Sequence, residues 1–111
     1  MSTNISIPPS FATYAKAVNN RDAAAMFSCF GPSAIVTDEG HEYSSPEAIR
    51  RWCVQTLNQY QFTINVTGVS PEGSETVITA DVSGSFPGSP VSLRFFLTIA
   101  NDKIATLTIR N

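Results

Sequence analysis

The spacing of apolar residues changes period partway along the chain. Phe11, Tyr14, Ala15 and Val18 recur at the i, i+3, i+4, i+7 spacing of a helix with one face turned inward. Pro8-Pro9-Ser10 suits its first turn, and Asn19-Asn20-Arg21-Asp22 closes it and caps a second helix. That second helix is predicted over Ala23 to Phe30, burying Met26, Phe27 and Phe30, with Gly31-Pro32 as its stop. The short run Ala34-Ile35-Val36-Thr37 reads as a strand ending at Asp38, followed by a turn or short hairpin from Gly40 to Tyr43. Ser45-Pro46 starts a third helix, in which Ile49, Trp52, Cys53, Thr56, Leu57 and Tyr60 recur at helical spacing. Beyond it the period falls to two. Phe62, Ile64 and Val66 alternate with polar residues up to a turn at Ser70-Pro71-Glu72-Gly73. Ile78, Ala80 and Val82 line the next strand, and Leu93, Phe95, Leu97 and Ile99 the one after. A tight Asn101-Asp102 turn leads to Ala105, Leu107 and Ile109.

The second faces of these strands carry Val77, Thr79, Phe96, Thr98, Thr106 and Thr108 in place of lysines and glutamates. Such a face suits packing against another sheet, and no helix is left over to cover it. A symmetric homodimer through that face is the economical expectation. The element order gives an α+β class, with three helices packed on one side of a curved antiparallel sheet.

At 111 residues the chain is expected to form one domain over 1–111, long enough to bury a sizeable core. Charged residues make up only 14% of it, which again points to a covered surface. A net charge of −2 without any run of Lys or Arg gives no footprint for nucleic acid or an anionic membrane, so neither is expected as a partner. The start Met1-Ser2-Thr3-Asn4 lacks a basic n-region and an apolar h-region, so no secretory leader is expected, and no segment approaches the roughly 18 apolar residues of a membrane span. A cytoplasmic protein is expected. Cys29 and Cys53 fall on the apolar sides of separate helices, where an unpaired cysteine acts as a small hydrophobe. With His41 as the sole histidine and no acidic or thiol cluster at ligand spacing, neither a metal nor another cofactor is expected.

The chemistry concentrates on two residues. Asp38 is a carboxylate at the end of an apolar strand, and Tyr14 is a phenol on a buried helix face, where it must find a hydrogen-bond partner. Converging in an apolar pocket, they can move a proton and stabilise an oxyanion. Asp38-Glu39-Gly40 is equally ordinary turn chemistry, and an inward tyrosine ordinary packing. Phe11, Phe27, Trp52, Tyr60 and Phe86 are the apolar residues expected to shape a pocket for a small hydrophobic ligand. Arg94, the odd residue of an apolar strand, either pairs with a carboxylate such as Asp81 on the far face or enters the pocket as a cation. The glycines of Gly84 to Gly88 join two strands and open no helix, so they form no phosphate cradle. No Gly-x-Ser-x-Gly elbow is present.

Several strings together resemble a SnoaL-like domain of the NTF2-like superfamily, which includes ketosteroid isomerase. They are Tyr14-Ala15-Lys16-Ala17-Val18-Asn19, Asp22 and Phe30, Asp38-Glu39-Gly40, Ile49-Arg50-Arg51-Trp52 and Gly84-Ser85-Phe86-Pro87-Gly88-Ser89-Pro90. The resemblance covers nearly the whole chain and implies the NTF2-like (cystatin-like) cone, usually paired through its sheet. By position it implies that Asp38 is the general base of an isomerase and Tyr14 the donor to the developing oxyanion. That enzyme is a standard example of pKa tuning. The isomerase's second donor, a protonated aspartate, has no counterpart here, since Arg94 or a neighbour stands in its place. Activities across this superfamily range from isomerases and cyclases to plain binding modules, so the resemblance implies fold more than reaction.

Overall fold

A computed structural model describes residues 7–110, the side chain of Tyr60 excepted. The helices are α1 (Pro9–Asn19), α2 (Ala23–Ser28) and α3 (Pro46–Tyr60), and the strands are β1 (Phe30–Asp38), β2 (His41–Tyr43), β3 (Thr63–Glu72), β4 (Glu75–Ser83), β5 (Val91–Ala100) and β6 (Lys103–Arg110). The helices begin where the capping residues foretell. Asp22 Oδ1 accepts from the Ala25 N–H at 3.1 Å, and Ser45 Oγ from the Ala48 N–H at 3.1 Å. Asn19 ties α1 to the sheet, donating to the Ile64 carbonyl at 3.1 Å and accepting from the Ile64 N–H at 2.8 Å.

The strands form one sheet in the order β2-β1-β6-β5-β4-β3. Its pairs are antiparallel with one exception, because β1 runs parallel to β6. The expectation of a wholly antiparallel sheet is therefore corrected to a mixed one. Apolar periodicity assigns a strand its faces but not its neighbour, and β1 meets β6 across most of the chain.

Two boundaries also differ from the sequence reading. α2 stops at Ser28 and Phe30 already belongs to β1, because the sheet captures the chain there: Ile104 N–H donates to the Cys29 carbonyl at 2.8 Å and Phe30 pairs with Ile104. Gly31-Pro32 then falls in an irregularity of β1, between the registers of Phe30 and Ile35, rather than at a helix end. β3 continues through Pro71 to Glu72, with the turn at Gly73-Ser74. In β6 it is Ile104, fully buried, that faces the core beside Leu107, whereas Ala105 is only half-buried. A register shift places Thr98 opposite Thr106 and Ile99 opposite Ile104, so Ala105 is the extra residue of a bulge.

The core lies between one face of the sheet and the helices. α1 packs on α2 and β3, and α3 on α2, β1 and β2. Ile78, Ala80, Phe95, Leu97 and Leu107 supply the sheet side, and Phe11, Val18, Ile49 and Cys53 the helix side. The outer face carries the threonines, including a Thr98–Thr106 hydroxyl pair at 2.7 Å, and Phe96 lies there between the Arg94 and Arg110 guanidiniums, 5.5 and 5.4 Å from its ring centre. Among the described residues no helix is long and apolar enough to cross a membrane, and no cluster of His, Cys, Asp and Glu could hold a metal ion.

Candidate functional site

Asp38 owes its position to a hairpin of minimal length. Glu39 and Gly40 both have positive φ, 53° and 78°, the backbone of a two-residue hairpin turn, so Asp38 pairs directly with His41. The same residue pairs with Ile109 of β6, which fixes it at the end of the sheet over the open mouth of the core. α3 passes beside it, and Trp52 Nε1 donates to Asp38 Oδ2 at 3.0 Å. The Glu39 backbone N–H is a second donor to this carboxylate, which borders a cavity. The indole is itself braced, edge-on to Phe30 with 6.2 Å between ring centroids and tilted against Tyr43 at 6.1 Å.

Tyr14 reaches the same place from α1. It is 1% exposed, stacked on Phe11 at 5.2 Å and edge-on to Phe30 and Phe95. No group among the described residues hydrogen-bonds its hydroxyl. A phenol so deeply buried ordinarily finds a partner, and here the space it borders supplies the room for one.

That space is a cavity of about 450 Å³. Tyr14, Asp38 and Trp52 line it together, with Thr56 and Phe62 along the helix side, Val82, Val91, Leu93, Phe95 and Ile109 along the sheet, and Glu39, Phe86, Pro87 and Gly88 around it. Its size falls in the range of small-molecule sites, as does its composition of apolar walls with few polar groups. The β4–β5 link is a shaped wall: Ser89 Oγ accepts from the Gly84 N–H at 2.9 Å and Ser89 N–H donates to the Phe86 carbonyl at 3.3 Å.

The electrostatics follow from enclosure. Burial raises the Asp38 pKa above the usual carboxylate range, the Trp52 hydrogen bond opposes that rise, and the neighbouring Glu39 charge adds to it. A carboxylate so shifted is a stronger base than a solvated one. Burial, reinforced by Cys53 and Asp38, holds the Tyr14 phenol well above its ordinary value, so it stays protonated and acts as a donor. A carboxylate and a protonated phenol thus share one apolar space.

The expected pocket residues divide between the cavity and its surroundings. Trp52 and Phe86 line the cavity. Phe11 does not; it is a fully buried core residue behind the site, packed on Tyr14 and Phe95. Phe27 is half-buried on α2, with the Arg50 guanidinium 4.9 Å from its ring centre, away from the cavity. Arg94 alternates with the inward Leu93 and Phe95 and lies on the outer face, which corrects the reading of it as a pocket cation. Tyr60 ends α3, and its side chain lies outside the described residues. The Trp52–Asp38 hydrogen bond carried no signal in the sequence, because nothing in the local spacing relates position 52 to position 38. Leu93 and Ile109 did carry one, their inward alternation, but alternation does not tell a packed face from a cavity wall.

The SnoaL-like domain family matches residues 11–107. Among solved structures, a candidate polyketide cyclase from Sinorhizobium meliloti is 32% identical with a TM-score of 0.88, over 98% of this chain and 100% of that one. A protein with a ketosteroid isomerase-like fold from Catenulispora acidiphila, solved with trimethylamine, is 18% identical with a TM-score of 0.81, over 96% of this chain and 87% of its own. An NTF2-like protein from Cytophaga hutchinsonii is 14% identical with a TM-score of 0.74, over 98% and 92% of the two chains. The latter two likenesses speak to the fold alone. No curated protein matches the sequence. From residue 11 to residue 107 the chain belongs to the SnoaL-like domain family, with the NTF2-like fold.

Proposed function

We propose that this protein binds a small hydrophobic carbonyl compound and moves a proton next to its carbonyl, with Asp38 as base and Tyr14 as donor to the enolate oxygen. The observation that carries this reading is that both residues line one apolar cavity. Asp38 would take the proton on the carboxylate it presents to the cavity, with Trp52 holding Oδ2 in place. As the enolate forms, negative charge passes from Asp38 to the ligand oxygen, where the Tyr14 hydroxyl meets it. The likeness to a candidate polyketide cyclase supports acid–base chemistry on a carbonyl compound without naming the substrate. Deuterium exchange into a panel of cyclic ketones, followed by NMR, tests it. Asp38→Asn should lower exchange by at least about a hundredfold, the low end for a positioned base. Equal exchange by the wild type and the Asn variant contradicts the catalytic reading.

One observation favours a second reading. The residues that β5 and β6 contribute to the cavity lining are Val91, Leu93, Phe95 and Ile109, all apolar, so no side chain of those strands supplies a second oxyanion donor. A cavity with a single donor suits a module that binds a hydrophobic ligand without turnover. The same experiment separates the two, because binding without exchange selects the module. For the outer sheet face we infer a homodimer, on the strength of its threonines, the buried Val77 and the half-buried Phe96.

A further inference from the structure

We propose that the cavity selects its ligand by charge: it accepts an uncharged compound bearing an acceptor oxygen, and it rejects a carboxylate of the same size and shape. This deepens the reading above and rests on the same cavity. The residues lining the cavity include two acids, Asp38 and Glu39, and among the described residues no Lys, Arg or His. Every basic side chain of the chain lies elsewhere. Arg94 and Arg110 flank Phe96 on the outer face, Arg50 covers Phe27, and Arg51 reaches Glu47 at 3.8 Å. Arg21 donates to the Val18 and Phe62 carbonyls, Lys103 donates to the Ser28 carbonyl at 2.7 Å, and Lys16 is exposed in the last turn of α1. His41 is exposed on β2. Met1 to Ser6, Tyr60 and Asn111 contain no Lys, Arg or His side chain.

The consequence is a fixed charge balance. With Asp38 ionised and a neutral ligand bound, the apolar space holds a single buried negative charge. Proton transfer moves that charge to the ligand and neutralises Asp38, so the balance is unchanged. A ligand carboxylate would add a second negative charge with no cation to pair it, which apolar surroundings strongly disfavour. Glu39, exposed at the hairpin turn, repels the same ligand as it approaches. A cation could pair with Asp38, but an ammonium has no acceptor, and the buried Tyr14 hydroxyl would remain without a partner. A neutral ligand with a carbonyl oxygen meets both requirements.

The test is calorimetric titration of the wild type, Asp38→Asn and Tyr14→Phe with three naphthalenes: acetonaphthone, naphthoate and naphthylmethylammonium, at a mildly alkaline pH where each keeps its charge. The expected order in the wild type places the ketone first and the carboxylate at least about tenfold weaker. In Asp38→Asn that gap should shrink to less than about threefold, since the repelling charge is gone. Tyr14→Phe should weaken the ketone and leave the ammonium unchanged. Naphthoate binding as tightly as the ketone, or the ammonium binding best, overturns the charge rule while ketone exchange still judges the catalytic reading. Loss of the exchange difference with the charge order intact does the reverse. No binding by any of the three overturns both.

Discussion

Trp52 and Asp38 form the most informative pair of side chains, because the indole both aims the carboxylate and limits how far its pKa rises. Removing that donor with Trp52→Phe should raise the Asp38 pKa further, and a pH titration of the labelled carboxyl carbon by NMR reads the upward shift. A downward or absent shift shows that the bond is not made in solution. The raised pKa also has a cost in stability. A carboxyl whose folded pKa lies above its unfolded value stabilises the fold below the unfolded pKa, and that contribution is lost as pH rises through the folded one. Asp38→Asn removes the buried charge and keeps an acceptor for Trp52, so it should melt above the wild type at alkaline pH, with the advantage fading as pH falls through the folded pKa. The thiols follow the same logic: burial pushes Cys53 up to about 12 and raises Cys29, so both should react slowly with a thiol reagent until denaturant is added. Rapid labelling of the folded protein contradicts their enclosure.

The hairpin that carries Asp38 sets the site at the level of elements. Gly40 has φ of 78° with open space around it, so a side chain there meets no neighbour but does meet its own backbone. Gly40→Val should cost about 1–2 kcal/mol through that conformation alone, read as a lower denaturant midpoint, and should also reduce any ketone exchange by loosening Asp38. An unchanged midpoint would mean that the turn has another form in solution. This element was legible in advance, since Asp-Glu-Gly after an apolar run announces a strand end and a turn. So was α3, with its Ser-Pro start and long helical period. The join of α2 to β1 was not, because Phe30 fits a helix face by spacing and is claimed by β6 only through a pairing across most of the chain. The bulge at Ala105 was hidden for a related reason: a single extra residue shifts the period without leaving a mark in composition. At the cavity, Asp38 and Tyr14 could be singled out as lining candidates because strand-end carboxylates and inward phenols are chemically unusual. Arg94 could not be assigned a face until the inward register of Leu93 and Phe95 was fixed.

At the scale of the whole molecule, a six-stranded sheet lines the cavity on its inner face and carries threonines on its outer face, for which we propose a second copy as the cover. That division predicts a dimer by sedimentation equilibrium at micromolar concentration. A glutamate at Phe96 would find the Arg94 and Arg110 guanidiniums, so the better probe is Thr106→Lys, which breaks the Thr98–Thr106 hydroxyl pair and sets a charge on the face. Dissociation of the variant supports the interface, and a monomeric wild type contradicts it. On the inner face, the proposed base and donor come from different elements, β1 and α1, and should meet one ligand. A crystal structure with naphthol, a mimic of the enolate, tests this most directly. The naphthol oxygen is expected at about 2.5–3.0 Å from Tyr14 Oη with the ring system in the cavity beside Asp38. Naphthol bound elsewhere, or seated in the cavity with its oxygen turned away from Tyr14, contradicts it.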